Sequence, residues 1–325
     1  MVADNVATGS SATPVIETQD LRRTFNDTVA VEGLSLTIYR GEIFGLVGPD
    51  GAGKTTTLRL LAGIMRADGG SATVAGHNVR HEPEAIKPKL GYLAQQFSLY
   101  EDLTVLENLY FYADIYGVSQ AERDTRIPRL LAFARLEPFR RRRAGQLSGG
   151  MQKKLALACT LIHEPEIIYL DEPTTGVDPV SRREFWDILS TLHLQGITLV
   201  VTTPYMDEAE HCSRVGLMFQ GQLIACDTPE AIQDMVDGEM LEMQPEAPNR
   251  IAEVLEGMPG VREVQIYGDL LHILVDDAEA RIEEVRSAVE AAGKTVHGIR
   301  KIKPRMEEAF IHLIRKEQSA ARSRI

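Results

Sequence analysis

The chain has 325 residues, of which 44% are hydrophobic, so it is long enough to fold into one large and one small domain with hydrophobic cores. Its 47 acidic and 35 basic residues leave a net charge of -12, which argues against a surface that binds nucleic acid through the phosphates. The three cysteines contain no close pair of the kind found in zinc sites or redox motifs, and they fit a reduced cytoplasmic setting.

The first residues, 1–15, are polar and rich in small side chains, which predicts a disordered tail and no signal peptide. No apolar run approaches the ~20 residues that a membrane-spanning helix needs. We therefore expect that any work at a membrane is done through a partner protein.

From residue 16 to residue 234, short apolar strands alternate with helices. The predicted strands are 29–38, 43–47, 167–170, 198–201 and 214–219. The predicted helices include 54–64, 123–134 and 150–162. Strands separated by helices in this way indicate an α/β domain, in which a parallel sheet is covered by helices on its faces.

The predicted strand IFGLV is followed by GPDGAGKTTTL, in which Gly48, Gly53, Lys54 and Thr55 match the pattern G-x-x-x-x-G-K-[ST]. In such a cradle the glycines let backbone N–H groups turn toward phosphates, the lysine adds a positive charge, and the threonine offers a hydroxyl to Mg²⁺. Because the pattern follows a strand and opens a helix, we predict nucleotide binding here. Phosphates repel a carboxylate, so we expect Asp50 to point outward or toward a partner.

The run IIYLDEPTTGVDP places Asp171 and Glu172 at the end of an apolar strand. In an open parallel sheet, ligands bind at the carboxyl ends of the strands, which is also where the cradle lies. Asp171 therefore suits a magnesium-linked role, and Glu172 suits a general base that activates the attacking water. Gln95 follows a predicted strand, and by itself it would be an ordinary surface glutamine.

The segment LSGGMQ opens a further helix with glycines beside Ser148, which forms a second anion-binding helix terminus. The cradle, Gln95, LSGGMQ, LDEP and GVDP occur in an order that resembles the ATP-binding cassette (ABC) ATPases over about residues 16–234. The resemblance implies a P-loop NTPase fold and two cassettes that pair head to tail. The cradle of one and the signature serine of the other would then enclose ATP. ATP, Mg²⁺ and a second cassette, identical or different, are thus the expected ligands and partner.

Carried over by position, the resemblance also implies roles for individual residues. It makes Glu172 and Gln95 catalytic, and it links Thr55, Gln95 and Asp171 to the magnesium ion. It assigns nucleotide contacts to Phe25, Gly48, Pro49, Asp50, Gly51, Ala52, Gly53, Lys54, Thr55, Thr56, Ser148, Gly149 and Gly150. For Phe25 two alternatives stand, because the ring could stack on adenine or belong to the core.

Pro204, in the run VVTTPYMDEAEHC, departs from the family pattern. ABC cassettes usually carry a histidine here that donates a hydrogen bond to the γ-phosphate, and proline has neither a side-chain donor nor a backbone N–H. Locally, Pro204 would start a helix with Thr203 as its N-cap. His211 is too far along that helix to replace the donor, which leaves a hydroxyl from Thr203 or Tyr205 as an alternative. We therefore expect intact ATP binding with slow or partner-dependent hydrolysis.

After residue 229 the pattern changes. The predicted strands are 240–244, 261–266, 270–275 and 295–301, with helices at 249–256 and 278–292 and a last helix from residue 304. This βαββαβ order predicts a small α+β ferredoxin-like domain over residues 240–316, followed by a polar, frayed tail at 317–325. We find no catalytic constellation in it.

The accessory domain, together with GPDGAGKTT, SLYEDLTVLEN, LACTLI and DPVSRREFW, is similar to the YbhF-type ATPases of multidrug efflux systems. This resemblance implies a cytoplasmic subunit, peripheral on the inner face of the cell membrane, that powers two permease subunits and often works with a periplasmic adaptor. One alternative is a regulatory cassette that binds ATP with little turnover. Another is a soluble ABC protein acting on ribosomes or DNA, for which the sequence lacks the second cassette, coiled coil or zinc motif.

Overall fold

The computed structural model describes residues 13–96 and 99–322, with side chains up to residue 319. The chain divides into two compact units between Thr228 and Pro229, where the sequence pattern changes, so the second unit begins before the domain bounds predicted at residues 234 and 240. Of the tail predicted at residues 1–15, residues 1–12 lie outside the described residues. The rest of that prediction is wrong, because the first strand already begins at Pro14 and Val15 is buried in it.

The first unit contains the predicted strands and helices together with several that were not predicted. Its strands are β1 (Pro14–Phe25), β2 (Thr28–Tyr39), β3 (Ile43–Val47), β4 (Gly69–Val74), β5 (His77–Asn78), β6 (Leu90–Leu93), β7 (Ile167–Asp171), β8 (Thr198–Thr203), β9 (Arg214–Phe219) and β10 (Gln222–Asp227). Its helices are α1 (Lys54–Leu61), α2 (Pro83–Ile86), α3 (Val105–Ile115), α4 (Gln120–Phe133), α5 (Gly149–Thr160) and α6 (Pro179–Leu194).

The main sheet has the strand order β10-β9-β3-β8-β7-β6. β3 pairs in parallel with β8 and β9, β7 pairs in parallel with β6 and β8, and β10 pairs with β9 in the antiparallel sense. Every residue of β3, β7 and β8 is buried, as expected for parallel strands covered on both faces. Because these three strands are neighbours and run in the same direction, their carboxyl ends meet at one edge of the sheet.

A second sheet of the first unit is antiparallel, with the order β2-β1-β4-β5. The prediction that residues 29–38 belong to the parallel sheet is therefore wrong. In β2, Leu34, Leu36 and Ile38 alternate with less buried positions, and they pack in the same core as Leu58 of α1. Such alternation is typical of an antiparallel sheet with one face on the core, and it explains why this strand does not belong with the fully apolar ones.

Helices α3, α4 and α5 form a separate hydrophobic cluster of this unit, which includes Leu109, Leu131 and Leu155. α3 and α4 both begin with a capping box, in which Thr104 or Ser119 exchanges hydrogen bonds with the glutamate three residues later. This cluster positions the start of α5, where LSGGMQ lies.

The second unit folds as a ferredoxin-like domain. Its elements are α7 (Pro229–Gln233), β11 (Glu239–Pro245), α8 (Pro248–Leu255), β12 (Val261–Tyr267), β13 (Leu270–Val275), α9 (Ala278–Ala291), β14 (Val296–Ile302) and α10 (Met306–Arg322). The sheet order is β12-β13-β11-β14 with antiparallel neighbours, which is the split βαβ arrangement. The prediction of a frayed tail from residue 317 is wrong as far as Arg322, since α10 continues to that residue. Residues 323–325 lie outside the described residues.

No helix within the described ranges has both the length and the apolar character needed to cross a bilayer.

Candidate nucleotide-binding site

The loop between β3 and α1 forms an open cradle. Gly51 and Gly53 have φ angles of 78° and 103°, which residues with a side chain rarely adopt. Gly53 also packs against Ala30, and a Cβ on Gly53 would come within 2.2 Å of the Ala30 carbonyl oxygen. Residues 50–56, from the loop and the start of α1, line a cavity of about 400 Å³, whose other lining residues are Phe25, Ala30, Gln95 and Glu172.

Lys54, the first residue of α1, is 3% exposed. Its Nζ donates hydrogen bonds to the carbonyl oxygens of Gly48 at 2.8 Å and Pro49 at 3.0 Å, and it lies 3.3 Å from Oε1 of Glu172. A buried ammonium group requires such partners, because its charge is otherwise poorly solvated. These oxygens hold the ammonium group beside the cavity, where the oxygens of a bound phosphate would compete for it.

Asp171 ends β7 and is almost fully buried. Its Oδ1 accepts hydrogen bonds from the hydroxyls of Thr55 and Thr202, both at 2.8 Å, and its Oδ2 accepts one from the hydroxyl of Tyr92 at 3.2 Å. Burial, followed by the negative charge of Asp171, raises the pKa of Tyr92 to about 12, so the phenol remains a donor at neutral pH. Asp171 and Thr55 together present hard oxygen atoms beside the cradle, the ligands that Mg²⁺ prefers.

Glu172 follows β7 and is 6% exposed, with a φ of 48° that is uncommon for a residue other than glycine. Its backbone N–H donates to the hydroxyl of Thr202 at 3.0 Å. Its Oε2 accepts hydrogen bonds from Gln95 at 3.0 Å and Thr175 at 3.4 Å, while its Oε1 faces Lys54. Both carboxylate oxygens are therefore held in fixed directions at the cavity.

Gln95 is also connected to α5. Its carbonyl oxygen accepts a hydrogen bond from Nζ of Lys153 at 3.0 Å. Burial lowers the pKa of Lys153, and the nearby carboxylates of Asp171 and Glu172 oppose that shift. Helix α5, which begins within the segment LSGGMQ, is thus linked by a hydrogen bond to a residue of the cavity.

Phe25 and Asp50 both line the cavity from exposed positions. Phe25 is 40% exposed, and the Arg23 guanidinium lies 4.7 Å from the centre of its ring. Of the two alternatives for Phe25, membership of the core is therefore excluded. Asp50 is exposed, which allows its carboxylate to turn away from a bound anion.

Ser148, Gly149 and Gly150 lie outside the lining of this cavity. Ser148 is the N-cap of α5, and its hydroxyl accepts a hydrogen bond from the backbone N–H of Met151 at 3.3 Å. Gly150 packs against α6, since a Cβ there would come within 2.6 Å of Cβ of Ser181. Ser148 and Gly149 are exposed, so the structure leaves this helix terminus open and apart from the cradle cavity.

Pro204 directly follows a residue that contacts the cradle. The backbone N–H of Gly48 donates to the carbonyl oxygen of Thr203 at 3.2 Å. The prediction that Thr203 caps a helix starting at Pro204 is wrong, because the short helix here is a 3-10 helix over Met206–His211. The physical reason is that Tyr205 has an extended backbone, with φ of -89° and ψ of 116°, so no helix runs on from Pro204. The Thr203 hydroxyl accepts a hydrogen bond from the Tyr205 N–H at 3.1 Å and donates to the buried carboxylate of Glu208 at 2.6 Å.

The three side chains considered as replacements for a histidine are all occupied elsewhere. Thr203 is fully buried, the ring of Tyr205 packs under the guanidinium of Arg182 at 4.1 Å, and the ring of His211 stacks on Trp186 at 4.9 Å. None of the three belongs to the described lining of the cradle cavity.

Sequence reasoning missed Tyr92, Thr202 and Lys153. Tyr92 and Thr202 are polar side chains near the carboxyl ends of otherwise apolar strands, which is where an open parallel sheet binds ligands. That position could have identified them. Lys153 gave no such indication, because basic residues are common on exposed helix surfaces.

A family model described as ABC transporter matches residues 31–175. The probable multidrug ABC transporter ATP-binding protein YbhF of Escherichia coli (strain K12) is 44% identical over 290 residues, which cover 89% of this chain and 50% of YbhF. The chain thus spans about half the length of this relative.

Other curated relatives match over nearly their whole length. Nod factor export ATP-binding protein I of Sinorhizobium fredii (strain NBRC 101917 / NGR234) is 35% identical, with 97% of this chain and 90% of that protein covered. Daunorubicin resistance ATP-binding protein DrrA2 of Streptomyces coeruleorubidus is 32% identical, with 92% and 94% covered.

Solved structures of ATP-binding cassettes match about two thirds of the chain. An ATP-binding subunit of an ABC transporter superposes with a TM-score of 0.61 at 28% identity, covering 68% of this chain and 92% of that chain. A dimeric ATP-binding cassette in a post-hydrolysis state, bound to ADP and phosphate, superposes with a TM-score of 0.60 at 27% identity, covering 66% and 98%.

Proposed function

The chain belongs to the ATP-binding proteins of ABC transporters, a family of ATPases, and we propose that it is the ATP-hydrolysing subunit of a bacterial exporter of the multidrug type. One observation carries the proposal. Lys54 and the carboxylate of Glu172 meet at a single cavity, and Asp171 lies beside them with its hydroxyl partners. A cation for phosphate, a base for water and oxygen ligands for a metal are thus within reach of one bound nucleotide.

ATP binding would use the cradle and the start of α1. The backbone N–H groups at this helix N-terminus favour an anion, and Lys54 adds a full positive charge. On binding, the phosphates would replace the carbonyl oxygens and Glu172 as partners of Nζ. The exposed ring of Phe25 at the same cavity is available to stack on adenine.

The residues beside the cradle fit a magnesium ion. The hydroxyl of Thr55 and the carboxylate of Asp171 are in hydrogen-bond contact, and Gln95 lies at the same cavity with an amide oxygen. All three offer the hard oxygen ligands that Mg²⁺ prefers. When bound, the ion would neutralise charge on the phosphates as the terminal bond breaks.

Glu172 is the proposed general base. While Lys54 pairs with Oε1, that oxygen is not available to accept a proton. When Lys54 turns to a phosphate, Oε1 becomes free while Gln95 still holds Oε2 in place. The freed oxygen could then accept the proton of a water that attacks the γ-phosphate. Nucleotide binding would thus activate the base by removing its cation.

Pro204 supports slow hydrolysis. It follows the residue whose carbonyl oxygen binds Gly48, and it has no hydrogen atom to donate to a phosphate. Losing one such donor typically costs about 10²- to 10³-fold in rate. Because Glu172 remains, we propose a site that turns over slowly or depends on its partners. The same observation favours a second candidate, a regulatory cassette with little turnover.

We propose that the residues Ser148, Gly149 and Gly150 face the nucleotide of a second cassette, identical or different. Ser148 and Gly149 are exposed at the N-terminus of α5 and lie outside the cavity of their own chain. A helix N-terminus with free backbone N–H groups suits phosphate oxygens. We therefore assign Ser148, Gly149 and Gly150 to the nucleotide that is held by the cradle of the partner.

Integral membrane permease subunits would complete the exporter, in some systems with a periplasmic adaptor. The chain would then lie on the cytoplasmic side, peripheral on the inner face of the membrane. This proposal is supported by the names of the relatives, which are ATP-binding proteins of multidrug transport, Nod factor export and daunorubicin resistance.

The test is phosphate release from ATP by the purified wild type and by Glu172→Gln, with and without Mg²⁺. We expect a slow, magnesium-dependent wild type and a variant that binds ATP but hydrolyses it about 10²- to 10⁴-fold more slowly, the usual contribution of a general base. Glu42→Gln is the matched control, because Glu42 is a buried carboxylate that accepts from the Tyr39 N–H, pairs with Arg214 and is absent from the described cavity lining. Equal slow rates of wild type and Glu172→Gln, even with the permease present, would favour the regulatory cassette.

A further inference from the structure

Glu208 is a buried carboxylate next to the site that the proposed chemistry does not use. It lies in the 3-10 helix Met206–His211 and is 1% exposed. In the sequence it belongs to the acidic run MDEAE. A carboxylate is removed from water at a large cost unless hydrogen bonds and charges compensate it, so its contacts are informative.

Two threonine hydroxyls bind this carboxylate. Thr174 donates to Oε1 and Thr203 donates to Oε2, both at 2.6 Å. The Thr203 hydroxyl also accepts a hydrogen bond from the backbone N–H of Tyr205 at 3.1 Å, which directs its own proton toward Glu208. The side chain of Arg182, in α6, lies 3.6 Å from Oε1 and supplies a compensating positive charge. Each oxygen of Glu208 therefore has its own donor.

The two threonines belong to the two chain segments that form the phosphate end of the site. Thr174 is the second residue after Glu172, in the turn where Glu172 has its unusual φ of 48°. Thr203 ends β8, and its carbonyl oxygen binds the N–H of Gly48, the first residue of the cradle. Glu208 thus connects the turn that carries the base to the strand end that contacts the cradle.

We propose that Glu208 is a positioning residue for ATP hydrolysis. By accepting from Thr174 and Thr203 at once, it fixes the distance between the turn of Glu172 and the cradle. This inference rests on the proposed role of Glu172 as the base. It has particular weight in this chain because Pro204, immediately after Thr203, supplies no donor of its own to hold a water or a phosphate.

The substitution Glu208→Gln tests this role with little change in side-chain size. The amide nitrogen of glutamine cannot accept from a threonine hydroxyl, so one of the two hydrogen bonds to a charged oxygen is lost, and at most a weaker neutral one, with the amide as donor, can replace it. Hydrogen bonds to charged groups are strong enough for their loss to change a rate about 10- to 100-fold. We expect kcat to fall by about this factor while the Kd for ATP changes less than about twofold, since Glu208 is absent from the described cavity lining.

Glu42→Gln is again the matched control, because it makes the same chemical change in another buried carboxylate of the same unit. If Glu208 only stabilises the fold, both substitutions will lower Tm and leave kcat unchanged, and that result would overturn the proposal. Should Glu208→Gln fail to fold, Thr203→Val and Thr174→Val each remove one connection while keeping shape. Unchanged kcat in both valine variants would equally overturn it.

A double-mutant cycle adds a readout that a structural role would not give. If Glu208 acts through Thr174, then Glu208→Gln combined with Thr174→Val should lower kcat by less than the product of the two single effects, whereas independent effects would multiply. Glu172→Gln is measured in the same assay to separate the two hypotheses. An active Glu172→Gln refutes the proposed base, whereas an inactive Glu172→Gln beside a fully active Glu208→Gln refutes only the positioning role.

Discussion

In the first unit the buried charged groups Lys54 and Glu172 lie beside a cavity of about 400 Å³, whereas in the second unit the buried imidazole of His272 lies beside a space of about 10 Å³. A water molecule needs about 10 to 15 Å³ of such space, so the second site has no room for a ligand. The hydrogen-bond partners of the two buried side chains, Lys54 and His272, also differ. Lys54 bonds two backbone carbonyl oxygens that phosphate oxygens could replace.

His272 is enclosed by side chains of its own unit. Nδ1 pairs with Glu308, Nε2 lies 3.4 Å from Glu242, and the ring of Tyr267 lies 4.5 Å away. Glu308 is itself buried and accepts a second hydrogen bond from the backbone N–H of Arg305 at 2.6 Å. A buried ionisable side chain therefore indicates a ligand site only where a cavity lies beside it and a ligand could replace its hydrogen-bond partners. Without these two features, the side chain makes a fixed internal contact.

Lys54→Ala should have the largest effect on ATP binding and hydrolysis, because Lys54 is the buried charge that lies beside a cavity with room for a ligand. Removing one partner of a buried ion pair typically costs about 3 to 5 kcal/mol, and here it also removes the cation for phosphate. We expect ATP affinity to fall by at least about 100-fold, together with loss of hydrolysis. An equilibrium ATP titration measures this, with Lys87→Ala as control because Lys87 is an exposed residue paired with Glu84. Wild-type affinity in Lys54→Ala would show that ATP does not bind at this cavity.

His272→Leu tests whether the enclosed imidazole of the second unit has only a structural role. It leaves Glu308 and Glu242 without their imidazole, so the free energy of unfolding should fall by about 3 kcal/mol. ATP affinity of the folded protein should stay unchanged, since no phosphate chemistry is assigned to this contact. Chemical denaturation and ATP titration check the two parts, with the exposed His297→Leu as control. Reduced ATP affinity in a folded His272→Leu protein would contradict a purely structural role.

The cradle could be predicted because its chemistry is contiguous in the sequence. Gly48 to Thr55 follow one strand and open one helix, so neighbouring residues define the loop. The carboxylates Asp171 and Glu172 could be placed near it because parallel strands end at a common edge.

The contacts of those carboxylates could not be predicted, since they depend on which strands are neighbours. Tyr92 reaches Asp171 only because β6 pairs with β7, and Thr202 does so because β8 lies on the other side. Glu208 was missed for a related reason. Its buried partners, Thr174 and Thr203, come from two different segments, and an acidic run gives no sign of such burial.

Tyr92→Phe tests how much the hydrogen bond from Tyr92 to Asp171, a proposed magnesium ligand, contributes to turnover. It removes one of three hydroxyls from Asp171, and a hydrogen bond to a charged group contributes about 1.5 kcal/mol, so we expect a roughly tenfold loss of turnover. Because the pKa of Tyr92 is about 12, the ratio of wild type to variant should stay constant between about pH 6 and 9. Tyr267→Phe is the control in the second unit, where the hydroxyl donates to Gln265. A ratio that changes in this pH range would contradict a neutral donor.

Asp276→Asn should give the smallest effect, because it concerns an exposed contact. Hydrogen bonds from Arg281 hold the pKa of Asp276 at about 2, below the value near 3.9 of an unfolded chain. Its contribution to stability is therefore present above about pH 4 and is lost as the pH falls toward 2. We expect a small difference in Tm between wild type and variant at neutral pH that disappears in acid. A difference that persists at about pH 2 would contradict this assignment.

The most direct test of the account is the rate of phosphate release by Pro204→His at saturating Mg²⁺ and ATP. The proposed site lacks one hydrogen-bond donor at this position, beside the contact between Gly48 and Thr203. Pro204→Ala is the control, since it removes the proline ring without adding a side-chain donor. We predict that Pro204→His hydrolyses ATP about 10²-fold faster than Pro204→Ala and the wild type. A Pro204→His variant that folds, binds ATP and hydrolyses it no faster than Pro204→Ala would contradict the account.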